Sequence, residues 1–307
     1  MSAGTAVKTP VIALLGQPNS GKSTLFNALT GAHQRVGNWP GKTVEKKEGY
    51  YQKDGKRYTV TDLPGSYSLS ANSDEEIITR DYIAGGKADV VCILADASQL
   101  ERSLFMVADY AGINIPAILL LNLMDIANGQ GKKIDAAAIE QRLGIPVIPF
   151  IAANRNNYEP FYTAIIKALD KKNVLKTDTL TEKYDGIKGG LYQLLYSLMP
   201  SAGMDGYSAS WLAAKILEGD VVATAKVREV IPAEKQRQLD TLTKDISNGT
   251  LLTGGCKFQW IDEVLQGAVS GKKENRALSK FDQRATSKRW GKLIADRKST
   301  RLNSSHT

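Results

Sequence analysis

Short continuous apolar runs, set apart by stretches with helical spacing, dominate the first half of the chain. Val11–Leu15, Val90–Ala95, Ala117–Leu121 and Val147–Ile151 lack polar alternation, which marks strands buried on both faces. Thr43–Gln52 and Arg57–Thr61 alternate and flank Asp54-Gly55, so they predict an antiparallel hairpin. Gly21–Leu29 and the stretches at about 73–84, 98–111, 135–143 and 158–169 carry helical spacing. Strand and helix alternate, which predicts an α/β domain over 1–172: a mostly parallel sheet with helices on both faces.

From about Thr177 the strand pattern stops. Ile187–Leu198, Ser208–Leu217, Val221–Val230, Glu234–Ile246 and Trp260–Ala268 have helical spacing, punctuated at Pro200, Gly203, Gly219, Pro232 and Gly249. A small all-helical domain over 173–290 is expected. Residues 291–307 read as a stub, and Ser299–Thr307, with neither period nor core, as a foreign tail.

Composition narrows the picture. With 42% hydrophobic and 23% charged residues, the chain is an ordinary folded one. No apolar run approaches the ~18 residues of a membrane span, and Met1–Pro10 has no apolar leader segment. Two cysteines, Cys92 and Cys256, exclude a disulfide scaffold; two histidines exclude a His-rich zinc site. The net charge of +8 is concentrated: Gly271–Arg301 holds eleven Lys/Arg against three acids, and the rest is neutral. A nucleic-acid patch, a polybasic segment facing anionic lipid and a solvated basic helix all remain open for that stretch.

The chemistry lies at the predicted strand ends. Gly16-Gln17-Pro18-Asn19-Ser20-Gly21-Lys22-Ser23 matches G-x-x-x-x-G-K-[ST] between a strand and a helix. Backbone N–H groups of such a loop, together with the helix N-terminus, wrap phosphates. Lys22 is expected to reach the β- and γ-phosphates and Ser23 to ligate Mg²⁺. Asp62-Leu63-Pro64-Gly65 ends a strand: Asp62 can hold Mg²⁺ through water, and Gly65 can approach the γ-phosphate. Thr43, in the loop Gly37–Thr43, would complete the Mg²⁺ shell. In Asn122-Leu123-Met124-Asp125 the Asp125 carboxylate can accept from N1–H and the 2-amino group of guanine, a donor pair that adenine lacks. Ser73-Asp74-Glu75-Glu76 reads as a helix cap rather than a metal cluster.

These four motifs, in this order, resemble translation-factor-type small GTPases. Gly-Gln-Pro-Asn-Ser-Gly-Lys-Ser-Thr-Leu-Phe-Asn (16–27), Arg-Val-Gly-Asn-Trp-Pro-Gly-Lys-Thr-Val-Glu (35–45) and Asp-Leu-Pro-Gly-Ser-Tyr-Ser-Leu (62–69) resemble the FeoB family, ferrous iron transport protein B. The resemblance covers Val11–Asp170, and the helical part mainly through Trp260-Ile261-Asp262 and the basic end. It implies a GTP- and GDP-binding, GTP-hydrolysing module on the cytoplasmic side of the inner membrane. That module would regulate a membrane-embedded Fe²⁺ pathway of the same parent chain. The nucleotide site it implies comprises Gly16, Asn19, Ser20, Gly21, Lys22, Ser23, Thr24, Gly41, Lys42, Thr43, Asp62, Gly65, Asn122, Met124, Asp125, Ala152, Ala153 and Asn154. Two departures stand out: the fifth guanine motif is Ala152-Ala153-Asn154 where the family usually begins with Ser, and the loop to Tyr158 lacks the usual glycine. Base contacts there would come from backbone only.

The glutamine that orients water in Ras-like enzymes is replaced by Ser66. The resemblance supplies another device: Asn19, with backbone carbonyls around Trp39–Gly41, holding K⁺ beside the phosphates. On its own, Asn19 also reads as a turn residue. The catalytic set is then Asn19, Lys22, Thr43 and Gly65. Slow turnover suits a switch, and Lys22→Ala is expected to abolish tight GTP binding while leaving the fold intact. A ribosome- or RNA-linked GTPase is the alternative, but the neutral helical part shows no RNA-reading loop or aromatics, so nucleic acid is not expected. A metabolic P-loop kinase would not need the guanine reader. An anionic membrane surface and a second copy of the chain complete the candidate partners.

Overall fold

The computed structural model describes residues 8–271 apart from Asp245 and Ser247. Its sheet is built from β1 (Val11–Gly16), β2 (Gln34–Asn38), β3 (Glu45–Lys53), β4 (Lys56–Asp62), β5 (Val90–Asp96) and β6 (Ala117–Asn122). Past a separate two-residue β7 (Lys133–Ile134), β8 (Val147–Pro149) completes it. The order is β2-β3-β4-β1-β5-β6-β8, with β4, β1, β5, β6 and β8 parallel and β2-β3-β4 an antiparallel meander.

Alternation within the apolar runs separates two cores. Ile12 and Leu14, with Val90, Cys92, Ile118 and Leu120, face α1 (Lys22–Thr30) and, later in the chain, a helix over residues 159–171, meeting Phe26 and Phe161. Ala13 and Leu15, with Val91, Ile93, Leu119 and Leu121, face α2 (Asp74–Ala84) and α3 (Leu100–Tyr110), meeting Ile83 and Leu104. Each such Leu or Ile contributes about 1.5–3 kcal/mol by leaving water. The cap expected before α2 is present. The Ser73 hydroxyl accepts from Glu76 N–H at 3.2 Å, while the Glu76 carboxylate takes the Asn72 N–H and the Ser68 hydroxyl rather than the N–H of Ser73.

After α4 (Met124–Gly129), α5 (Ala136–Leu143) and α6 (Glu159–Lys171) come α7 (Asp178–Asp185), α8 (Leu191–Leu198), α9 (Ala209–Leu217), α10 (Val221–Val230), α11 (Ala233–Lys244) and α12 (Gly249–Leu265). β9 (Val269–Ser270) then returns to pair antiparallel with β7. Core packing continues from the sheet through α3 into α9 and α12, and Trp211 Nε1 donates to the Asp109 carbonyl at 2.8 Å. The described residues up to Ser270 form one compact unit, and the expected boundary at 172/173 falls inside it, in the link between α6 and α7.

Several elements differ from expectation. Gln34–Asn38 pairs with β3, from Gln34 opposite Gly49 to Asn38 opposite Glu45, where a loop was expected. All five of its residues are exposed, so no apolar alternation announces it. α12 begins at Gly249 and runs through Gly254-Gly255, ending at Leu265 rather than spanning Trp260–Ala268. Its buried stripe Thr253, Cys256, Lys257, Trp260, Ile261 and Val264 outweighs the helix cost of the glycines. No helix among the described residues is long and apolar enough to cross a membrane. The basic stretch beyond Gly271, the remainder of 173–290 and the stub and tail at 291–307 lie outside the described residues.

Candidate nucleotide site

The parallel strands deliver the motifs to one end of the sheet, where α/β folds place their ligands. Gly16–Lys22 follows β1, Asp62–Gly65 closes β4, Asn122–Asp125 follows β6, and Ala152–Asn154 follows β8. In the phosphate loop the backbone turns left-handed at Asn19 (φ 66°) and Gly21 (φ 87°). A Cβ at Gly21 would lie 2.1 Å from Asn122 Nδ2, so only glycine fits. Asn19 is exposed at the crest, as are Ser23 and Thr24 on the first turn of α1.

Asn122, fully buried, ties the motifs together. Its Nδ2 donates to the Ser20 carbonyl at 2.7 Å, and its Oδ1 accepts from the Ala152 N–H at 2.8 Å. Asn122 is thus a frame residue, whereas Asp125 is exposed on the first turn of α4. Leu123, at φ 62°, makes the turn between them. Met124 is half-buried and its N–H donates to the Phe150 carbonyl at 3.3 Å. Ala153 and Asn154 are exposed; the Asn154 carboxamide accepts from Asn156 N–H at 3.1 Å. Behind this loop the Tyr158 hydroxyl donates to the Ala152 carbonyl at 2.7 Å.

Lys22 and Asp62 are brought together rather than apart. The ammonium donates to the Asp62 carboxylate and, at 2.6 Å, to the Leu63 carbonyl, with both side chains buried. The phosphate-seeking cation and the carboxylate expected to face magnesium therefore neutralise each other. Gly65 adjoins the phosphate loop: a Cβ there would lie 3.5 Å from Pro18. The buried hydroxyls of Ser20 and Ser66 have no hydrogen-bond partner among the described residues.

Lys42 lies in the exposed loop before β3. Its ammonium pairs with Asp74 at 2.7 Å, drawn by the acidic first turn of α2, and its N–H closes a turn onto the Trp39 carbonyl at 3.0 Å. Trp39 is buried against Tyr82, anchoring a turn that leaves Gly41, Lys42 and Thr43 exposed. The hydroxyls of Ser23 and Thr43 and the Asp62 carboxylate are hard-oxygen donors of the kind Mg²⁺ takes. Asp62 already faces a positive charge here, and the residues fit that ion. The Asn19 amide oxygen and the carbonyls of Trp39–Gly41 are likewise all-oxygen donors of the kind K⁺ takes.

A phosphate loop on β1, an acidic strand end on β4 and an Asn-x-x-Asp frame on β6 define a P-loop nucleotide-binding domain of the GTPase class. Residues 10–165 match the family model described as ferrous iron transport protein B, and the chain belongs to that family. It is 39% identical over 265 residues to the Fe(2+) transporter FeoB of Escherichia coli K12, covering 84% of this chain and 33% of that one. The Shigella flexneri transporter is 40% identical with the same coverage. The chain thus spans about a third of the length of the curated relatives it matches. Among solved structures it is similar to the cytosolic domain of T. maritima FeoB in its GMPPNP form, with TM-score 0.73 and 30% identity. That match covers 85% of this chain and 100% of the other. The cytosolic domain of L. pneumophila FeoB gives TM-score 0.69 and 31% identity over 85% and 99%.

Proposed function

We propose that the chain binds GTP and GDP, hydrolyses GTP slowly, and acts as the cytoplasmic regulatory module of a membrane ferrous iron transporter continued in the same parent chain. The observation that carries this reading is the Asn122 clamp. One buried amide joins the phosphate loop to the base loop, so phosphates and base are read from a single frame. The GMPPNP-bound relative supports the same nucleotide class.

In this reading Lys22 exchanges Asp62 for phosphate oxygens, and the N–H groups opening α1 add the positive end of its dipole. Asp125 accepts from the two guanine donors. Mg²⁺, held by Ser23, Thr43 and Asp62, would supply neutralisation of phosphate charge; K⁺, held by Asn19 and the Trp39–Gly41 carbonyls, would offset charge developing toward the transition state. Ser66 cannot orient water as a glutamine does, which supports slow turnover. The organisation proposed is a G domain over 1–172, a helical regulatory domain over 173–290 and a juxtamembrane stub beyond, on the cytoplasmic side of the inner membrane. A basic stub favours anionic lipid over nucleic acid as its neighbour, and self-association of the chain is a further expectation.

The test is competition between unlabelled GDP and ADP against a fluorescent guanine nucleotide, with phosphate release followed in parallel. GDP should bind at least about tenfold more tightly, because a site built on hydrogen bonds rejects a mismatched ligand. Equal affinity for the two nucleotides would sink the guanine reading.

A further inference from the structure

The two alanines that open the fifth motif, Ala152 and Ala153, offer no side-chain donor, so any base contact from them falls to a peptide group. The Ala152 N–H is already committed to Asn122 Oδ1. The next donor, the Ala153 N–H, belongs to an exposed residue and makes no hydrogen bond among the described residues. It shares one peptide plane with the Ala152 carbonyl, and no peptide bond among the described residues is cis. In a trans peptide, carbonyl and N–H point in opposite directions. The Ala152 carbonyl points inward, to the buried Tyr158 hydroxyl at 2.7 Å. The Ala153 N–H therefore points outward, away from the aromatic cluster of Phe150, Tyr158 and Phe161.

We propose that Tyr158 is the positioning residue of the base loop: by holding the Ala152 carbonyl, its phenol aims the Ala153 N–H at the six-position of the purine. Guanine presents a carbonyl oxygen there and accepts; adenine presents an amino group and meets donor with donor. Tyr158 thereby sets guanine selectivity without touching nucleotide. Burial lifts the phenol to about 12, so it stays a donor through the neutral range. The ring is fixed independently of the hydroxyl, tilted against Phe150 with 5.0 Å between ring centres and placed at the start of α6.

This rests on the guanine reading above, and the experiment separates the two. Affinities for GDP and ADP, and GDP release rates, are measured for the parent, Tyr158→Phe and Tyr162→Phe. Tyr162 loses a phenol from the same aromatic cluster without touching the loop. Thermal midpoints without nucleotide are recorded alongside. Tyr158→Phe should weaken GDP about fivefold through faster release, the order of one neutral hydrogen bond, leave ADP unchanged, and hold its midpoint near the parent's. Tyr162→Phe should change neither affinity. Equal loss of GDP and ADP, an unchanged GDP/ADP ratio, or the same effect from Tyr162→Phe overturns the proposal alone. A parent that does not distinguish GDP from ADP overturns the guanine reading and the proposal with it.

Discussion

Lys22 is asked to do two things, and only one of them is written in its motif. Toward nucleotide it is the phosphate cation; in this structure it is also the partner that makes a buried Asp62 affordable. Its loss leaves a carboxylate uncompensated, which costs about 3–5 kcal/mol for a buried pair. Lys22→Ala should therefore lower the thermal midpoint by about 10 °C as well as abolish tight GTP binding, with the fold itself kept. Adding Asp62→Asn should restore the midpoint in calorimetry but not the binding. A Lys22→Ala midpoint equal to the parent's would show that the pair contributes nothing to stability. Asn19 carries a second residue-scale prediction. GTP hydrolysis should run about tenfold faster in K⁺ than in Na⁺, below the 10³–10⁵ of an arginine finger, with the difference gone in Asn19→Ala. Identical rates in both salts would leave Asn19 a turn residue. The motif residues were legible because phosphate and guanine demand fixed residue types at fixed spacing. The Lys22–Asp62 pair was not, since each residue's expected role named a ligand rather than the other residue.

Between elements, four buried charges join α3, α9 and α12. Lys257 reaches Asp109 and Glu218, each at 2.5 Å, and Lys215 reaches Asp109 at 3.0 Å and Glu218 at 2.8 Å. Asp109 also accepts the Leu69 N–H at 2.9 Å, and Lys215 donates to the Ser70 hydroxyl, so the segment after Gly65 is tied to the helices. Burial alone would raise the Asp109 and Glu218 carboxyls, but the two ammonium groups carry both below the ordinary range. Burial would lower Lys257, yet the two carboxylates hold it above its usual value. The carboxylates thus stabilise the fold above about pH 4, their unfolded value, and that contribution drains away as pH falls. Lys257 stabilises it below about pH 10.4 and ceases to as pH rises past its folded value. Lys257→Met should cost about 3–5 kcal/mol and move the acid-unfolding midpoint to higher pH, read by circular dichroism. An unmoved acid limb would mean that Lys257 does not hold the carboxylates ionised. Positions 109, 215, 218 and 257 lie too far apart in sequence for any local pattern to reveal this cluster.

For the molecule as a whole, legibility followed burial. β1, β5 and β6 are buried along nearly their whole length, so their apolar runs announced a parallel sheet. β2 is exposed throughout, and α12 hides its first half behind Gly249, Gly254 and Gly255, so both escaped the pattern. The packing of the helical part on α3 escaped it too, because helical spacing marks an apolar face but not what covers it. That packing has a consequence for dissection. A fragment ending at residue 172 loses Trp211, Leu212 and Trp260, all buried here, and uncovers the outer face of α3. It should unfold at a lower temperature than the chain ending at 271 while keeping the same preference between GDP and ADP. An equal midpoint would show that the helices add no stability to the sheet.

The pairing of β2 with β3 has one more implication, for how the chain behaves in a crowd. Whenever Gln34–Asn38 lets go of the sheet, the backbone of Glu45–Gly49 is left as an open template that a neighbouring molecule could extend. Glu45, Lys46, Lys47 and Glu48 line that rim, paired along the strand as Lys46–Glu48 and Lys47–Glu45. Such charges act as gatekeepers against intermolecular strand addition. Replacing Lys46 and Lys47 with threonine should leave the native spectrum unchanged yet produce growing light scattering on prolonged incubation, where the parent stays clear.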